Sequence, residues 1–151
     1  MTQPGEWLTA QHRRIDDGVK GIVDGTGQLA ALAESLALLR AHIYVEEARL
    51  FPPLVRAGLA MPVFVMQREH GEMWPWLQAL AADCAAAAPI EMLREPALQL
   101  FQRLQIHNTK EEQIVYAALD RLVAESADPA LTAGLEESRV PEGWTCAMAP
   151  G

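Results

Sequence analysis

The sequence predicts an all-α protein, an antiparallel up-down four-helix bundle with an irregular C-terminal tail. Three observations carry this. Ala and Leu dominate while β-branched runs are scarce, which favours helix nearly throughout. Four stretches repeat apolar residues at helical spacing. Gly and Pro clusters fall between those stretches, where helices stop.

The first helix is expected from about Trp7 to Val23, with Leu8, Ile15, Val19, Ile22 and Val23 as its apolar stripe, ended by Asp24-Gly25-Thr26-Gly27. A second spans roughly Gln28 to Phe51, carries Leu32, Leu36, Leu39, Ile43 and Leu50 on one side, and stops at Pro52-Pro53. The third covers about Pro62 to Ala87, with Val63, Met66, Leu77, Leu80 and Ala81 inward; Pro75 should kink it or shift its hydrogen-bond register near Gly71. The fourth runs from about Ile90 to Val123, with Leu100, Leu104, Ile114, Ala118 and Leu122 inward. Beyond Ser126 the composition turns to Gly, Pro and acidic residues. The expected division is a bundle over residues 1–125 and a tail over 126–151 that packs on it or extends from it.

A chain of 151 residues, 50% of them hydrophobic, can bury one core without staples. Its net charge of −8, from 20 acidic against 12 basic residues, argues against nucleic acid or an anionic membrane surface as partner, since both need clustered Lys and Arg. The N-terminus lacks the basic and apolar regions of a signal peptide, and no apolar run approaches the ~18 residues of a spanning helix. Cys84 and Cys146 form no CxxC pair, so a reducing, cytoplasmic compartment is expected.

The chain has four histidines, and one falls on each predicted helix beside its apolar stripe: His12, His42, His70 and His107. A single inward histidine is usually a hydrogen-bonded core residue; four of four is harder to explain that way. Glu46 follows His42 by four residues and Glu111 follows His107 by four, which puts each pair on one helix face. The segments His42–Leu54 and His107–Leu119 match in their His, Glu-Glu, aliphatic, aromatic and Leu positions, with His12 preceding the first copy and His70 the second. The string His…His-x-x-x-Glu therefore occurs twice, as a pseudo-two-fold bundle would require. Each half supplies two nitrogens, and the two glutamates can reach across and bridge.

Inward-facing, Glu46 and Glu111 would be buried anions, each costing on the order of several kcal/mol without a counter-charge, and no Lys or Arg stands at a matching position. Two divalent cations would neutralise them and use the imidazoles as well. A set without thiolates disfavours structural zinc or an iron–sulfur cluster; histidine with carboxylate suits iron, then manganese or zinc.

These residues resemble the hemerythrin HHE cation-binding family over roughly residues 7–123, carried by Ala41–Pro53, Arg68–Met73 and Ile106–Tyr116. The resemblance implies a non-haem di-iron centre with His12, His42, His70 and His107 as terminal ligands and Glu46 and Glu111 as bridges. Oxygen-carrying members place a fifth histidine four residues after the one on the third helix; here that position is Trp74. The pattern is closer to the family's iron-centre repair proteins and sensors, although the repair proteins' cysteine-bearing N-terminal segment has no counterpart here. The implied function is binding or sensing of oxygen or nitric oxide, or iron handling. The alternative is a di-iron redox enzyme that reduces peroxide or oxygen or donates iron to damaged clusters, and a third reading keeps the histidines as mere core. A homodimer or a protein partner for signalling is left open.

Other residues have blander expectations. Asp16, four residues after His12, is an extra ligand, an acceptor for an imidazole, or a solvated carboxylate. Glu47 and Glu112 point off the ligand face and are expected to be exposed, as are Glu69 and Glu72 beside His70. Met73 and Trp74 shape a pocket over the irons or fill the core, with filling favoured. Cys84 reads as a buried, inert thiol and Cys146 as incidental.

Overall fold

A computed structural model describes residues 3–151. Helix α1 (Pro4–Asp24) starts with proline in its first turn, where the missing N–H costs nothing, and ends on Gly25. Gly25 takes a left-handed φ of 78° and donates to the Gly21 and Ile22 carbonyls, closing the helix as a glycine cap does. After a short link, α2 (Leu29–Val45) enters a π-helical turn (Glu46–Leu50) and continues as α3 (Phe51–Arg56). Helix α4 (Ala60–Ala85) runs unbroken through Pro75. Helix α5 (Ile90–Lys110) passes through a second π turn (Glu111–Val115) into α6 (Tyr116–Ser126). The chain thus forms four rods, and among the described residues there is no strand. Rod α1 packs on α2 and α5, and α4 packs on the same two, which closes a four-helix bundle.

Two departures from the sequence expectation share one cause. The second rod does not stop at Pro52-Pro53: the π turn widens the backbone just before them, and the prolines then sit in the first turn of α3 where no N–H is needed. The second π turn rotates the fourth rod, so Ile114 is 54% exposed and Val115 takes the inward place. Ala81, expected inward, is also exposed: it borders an open groove between α2 and α4, and Leu80 takes the inward place.

The core divides into two apolar clusters. One gathers Ile15, Leu36, Leu39, Ile43, Met73, Trp74, Leu77, Leu100 and Leu104; the other gathers Leu8, Val45, Phe51, Met66, Val115 and Leu119. Each fully buried leucine contributes about 1.5–3 kcal/mol relative to exposure. Every rod leaves one cluster for the other at its histidine: Leu8–His12–Ile15, Leu39–His42–Val45, Met66–His70–Met73 and Leu104–His107–Val115. The histidines therefore form one polar layer between two apolar blocks.

The tail folds back on the bundle. Its one regular piece is a 3₁₀ turn at Pro129–Leu131. Cys146 is buried in the first core cluster, and Trp144 meets Tyr44 and Trp74 edge-on. Gly71 admits this tail: a Cβ there would lie 2.3 Å from the Met148 carbonyl oxygen, closer than any side chain permits.

Candidate metal centre

Glu46 and Glu111 each open a π turn, and both are fully buried together with His12, His42, His70 and His107. All four imidazoles turn Nε2 toward the glutamates. Glu46 places Oε2 3.3 Å from His42 Nε2 and Oε1 3.2 Å from His70 Nε2. Glu111 places Oε1 3.0 Å from His12 Nε2 and Oε2 3.2 Å from His107 Nε2. Each carboxylate thus gives one oxygen to each histidine pair. Two overlapping donor sets result, His12/His42/Glu46/Glu111 and Glu46/His70/His107/Glu111, with the donor atoms of each set within 4.8 Å of one another.

The donors fit cations better than they fit each other. Glu46 Oε1, His70 Nε2 and Glu111 Oε2 are buried without any hydrogen-bond partner, although Glu46 Oε1 and His70 Nε2 are only 3.2 Å apart. All three residues belong to the second donor set, whose ligand atoms lie within 4.8 Å of one another. Buried polar atoms are otherwise almost always paired.

The far nitrogens explain how the rings are held. Nδ1 of His12 meets Glu112 Oε2 at 2.8 Å, that of His42 meets Gln11 Oε1 at 2.7 Å, that of His70 meets Glu47 Oε2 at 2.7 Å, and that of His107 meets Glu69 Oε1 at 2.9 Å. An acceptor on Nδ1 assigns the proton there and leaves the Nε2 lone pair for a cation, the usual outer arrangement of a metal-bound imidazole.

Residues 3–119 match the hemerythrin HHE cation binding domain. The chain belongs to the hemerythrin family. No curated protein and no solved structure matches the chain. Cation binding is the property the family carries, and the hemerythrin cage described above supplies the donors for it.

Within this hemerythrin cage the structure corrects several expectations. Glu47, Glu69 and Glu112 are partly buried instead of exposed, and each accepts a hydrogen bond from a histidine Nδ1–H. They lie off the face of their own helix's histidine because they serve the histidine of a neighbouring rod. Glu72 is exposed as expected. Asp16 stands outside the donor sets and accepts a hydrogen bond from Asn108 Nδ2 at 3.4 Å. Met73 and Trp74 fill the core. Cys84 is only partly buried, whereas Cys146, read as incidental, is the more deeply packed thiol.

One cage residue escaped the sequence reading. The Tyr116 hydroxyl lies 2.6 Å from Glu46 Oε2, 2.9 Å from Glu111 Oε1 and 3.0 Å from both His12 Nε2 and His42 Nε2. A signal for it existed: the internal repeat aligns Tyr116 with Phe51, nine residues after each second histidine.

The electrostatics follow from burial and anions in opposition. Burial favours neutral imidazole at His42, but Glu46 and Glu111 outweigh it and push the ring up to about 9. Burial and glutamate repulsion would raise the Glu46 carboxyl, yet the surrounding imidazoles hold it below its ordinary value, and Glu111 lower still. Burial likewise opposes ionisation of Glu69, but His107 and Lys110 bring it down to about 2. Without an ion the buried glutamates favour a proton on imidazole; a cation at Nε2 would replace that proton and leave the one on Nδ1 in place.

Proposed function

We propose that this hemerythrin-family chain is a non-haem di-iron protein that binds or senses oxygen or nitric oxide, or handles iron. His12 and His42 would hold one ion and His70 and His107 the other, with Glu46 and Glu111 offering an oxygen to each. The observation that carries this is the splitting of each glutamate, one oxygen per histidine pair. Iron is preferred because the donors mix imidazole with carboxylate and include no thiolate; manganese and zinc follow. A bound iron pair supplies redox-active cations with positions for a small ligand.

The chain's own residues set what reaches that pair. Phe51, Met66 and Val115 wall the cage on one side, and Ile43, Met73 and Leu104 on the other, which excludes bulk water. A mostly apolar cleft of ≈ 270 Å³ is lined by Met61, Val65, Met66, Ile114 and Val115 together with Lys110, whose charge is paired with Glu69, and it reaches two residues that lie one turn from His70 and Glu111. Its lining suits a small, weakly polar molecule better than a charged substrate. Among the described residues no helix is long and apolar enough to cross a membrane, and the free thiols Cys84 and Cys146 fit a cytoplasmic setting.

The test is rapid mixing of the reduced, iron-loaded protein with oxygen, nitric oxide or peroxide while its absorption is followed. A stable adduct that reverses on removal of the gas is the expected result for a carrier or sensor. Continuous turnover of peroxide or oxygen would make it a redox enzyme instead.

A further inference from the structure

We propose that Tyr116 is a phenolate ligand of the ion held by His12 and His42, so that the two metal positions differ by one protein oxygen. This rests on the di-iron reading above and deepens it.

The argument begins with valence. A phenol carries one proton and can accept about two hydrogen bonds. Around the Tyr116 oxygen stand four donor atoms of the first set, all within 3.0 Å. Two of them, Glu46 Oε2 at 2.6 Å and Glu111 Oε1 at 2.9 Å, are carboxylate oxygens that only accept. One proton cannot serve both, so a neutral phenol leaves one oxygen–oxygen approach uncompensated. A cation held by these donors would remove that conflict, with the Tyr116 oxygen as a further donor and its proton released to solvent.

The backbone explains why this residue reaches the centre. In an α-helix a residue five positions on is rotated by about 140° away from the first. Here Tyr116 N–H bonds to the Glu111 carbonyl, five residues back, and the π turn brings the two side chains toward one face. The first π turn does the same for Phe51 and Glu46. Phe51 stacks on His70 with centroids 5.8 Å apart, as Tyr116 stacks on His12 at 5.4 Å. The two aromatics are pseudo-two-fold mates, and only one carries an oxygen.

Charge supports the same assignment. The second histidine pair leans on two carboxylates, Glu47 and Glu69; the first leans on Glu112 and the neutral Gln11. The Tyr116 oxygen thus stands on the side with the neutral partner, while the side with Phe51 already has two carboxylates.

The experiment is resonance Raman and absorption spectroscopy of the full chain, loaded with ferrous ion and oxidised in air. The expected result is a visible phenolate-to-ferric charge-transfer band whose ring modes shift when tyrosine is ring-deuterated. Tyr44 and Tyr116 are the only tyrosines, so the band should survive Tyr44→Phe and vanish in Tyr116→Phe. If Tyr116→Phe fails to load iron, the labelled wild type and Tyr44→Phe still decide the matter. Iron bound without tyrosinate modes, or modes lost with Tyr44, overturns the assignment and leaves the di-iron reading intact. A protein that takes up no iron sinks both.

Discussion

The two halves of the cage are built to one plan and finished differently. In each half the residue preceding a histidine accepts from the other histidine's Nδ1: Gln11 serves His42, and Glu69 serves His107. The second glutamate of each doublet serves the opposite pair, Glu112 reaching His12 and Glu47 reaching His70. The differences are Gln11 against Glu69, Tyr116 against Phe51, and the tail, which reaches the cage at Glu47. There the Ala147 N–H donates to Glu47 Oε1 at 2.8 Å while Glu47 Oε2 accepts from His70 Nδ1–H. The pseudo-symmetric frame places the donors, and the differences within it would set the two positions of the proposed ion pair apart.

The largest expected effect comes from breaking what the halves share. Glu46→Gln or Glu111→Gln keeps the shape but removes a charge that both ions of the proposed pair would use, so metal content should fall from two per chain toward none. Retention of both ions would show that the bridges are dispensable. Single histidine losses should then separate the halves. His12→Ala should spare the ion at His70 and His107, and His70→Ala the other, each leaving about half the metal by elemental analysis.

Outer partners come next. Removing the partner of a metal-bound imidazole typically costs about 10–100-fold in affinity. Glu47→Ala should reach the upper part of that range, because it frees both His70 and the tail; Gln11→Ala, which removes a neutral acceptor, should fall at the lower end. Competition against a chelator measures both, and an equal loss would erase the difference between the halves. The smallest effect on the metal is expected from Gly71→Ala. Its Cβ drives against the Met148 carbonyl, so the tail must shift, at a cost of about 1–3 kcal/mol. Urea denaturation should show that loss, with proteolysis cutting the tail first and the helical signal preserved.

The bundle was legible in the sequence because helical periodicity and Gly/Pro breaks survive any detail of packing. The six cage residues were legible because the histidines are few and the His-x-x-x-Glu spacing occurs twice. The π turns were not, since one widened turn leaves the flanking apolar rhythm intact while rotating everything after it. That rotation hid Tyr116 and misplaced Ile114. Glu47 and Glu112 were misread for another reason: a single-helix projection shows which residues share a face, not which neighbouring rod a side chain meets. The repeated Glu-Glu doublet was the clue, because a solvated carboxylate has no need to recur in register.

The most direct test is a crystal grown with ferrous salt under anaerobic conditions and measured across the iron absorption edge. Two anomalous peaks per chain are expected, one against His12 and His42 and one against His70 and His107, with Glu46 and Glu111 touching both. A single peak, none, or two peaks that share no carboxylate would contradict the account.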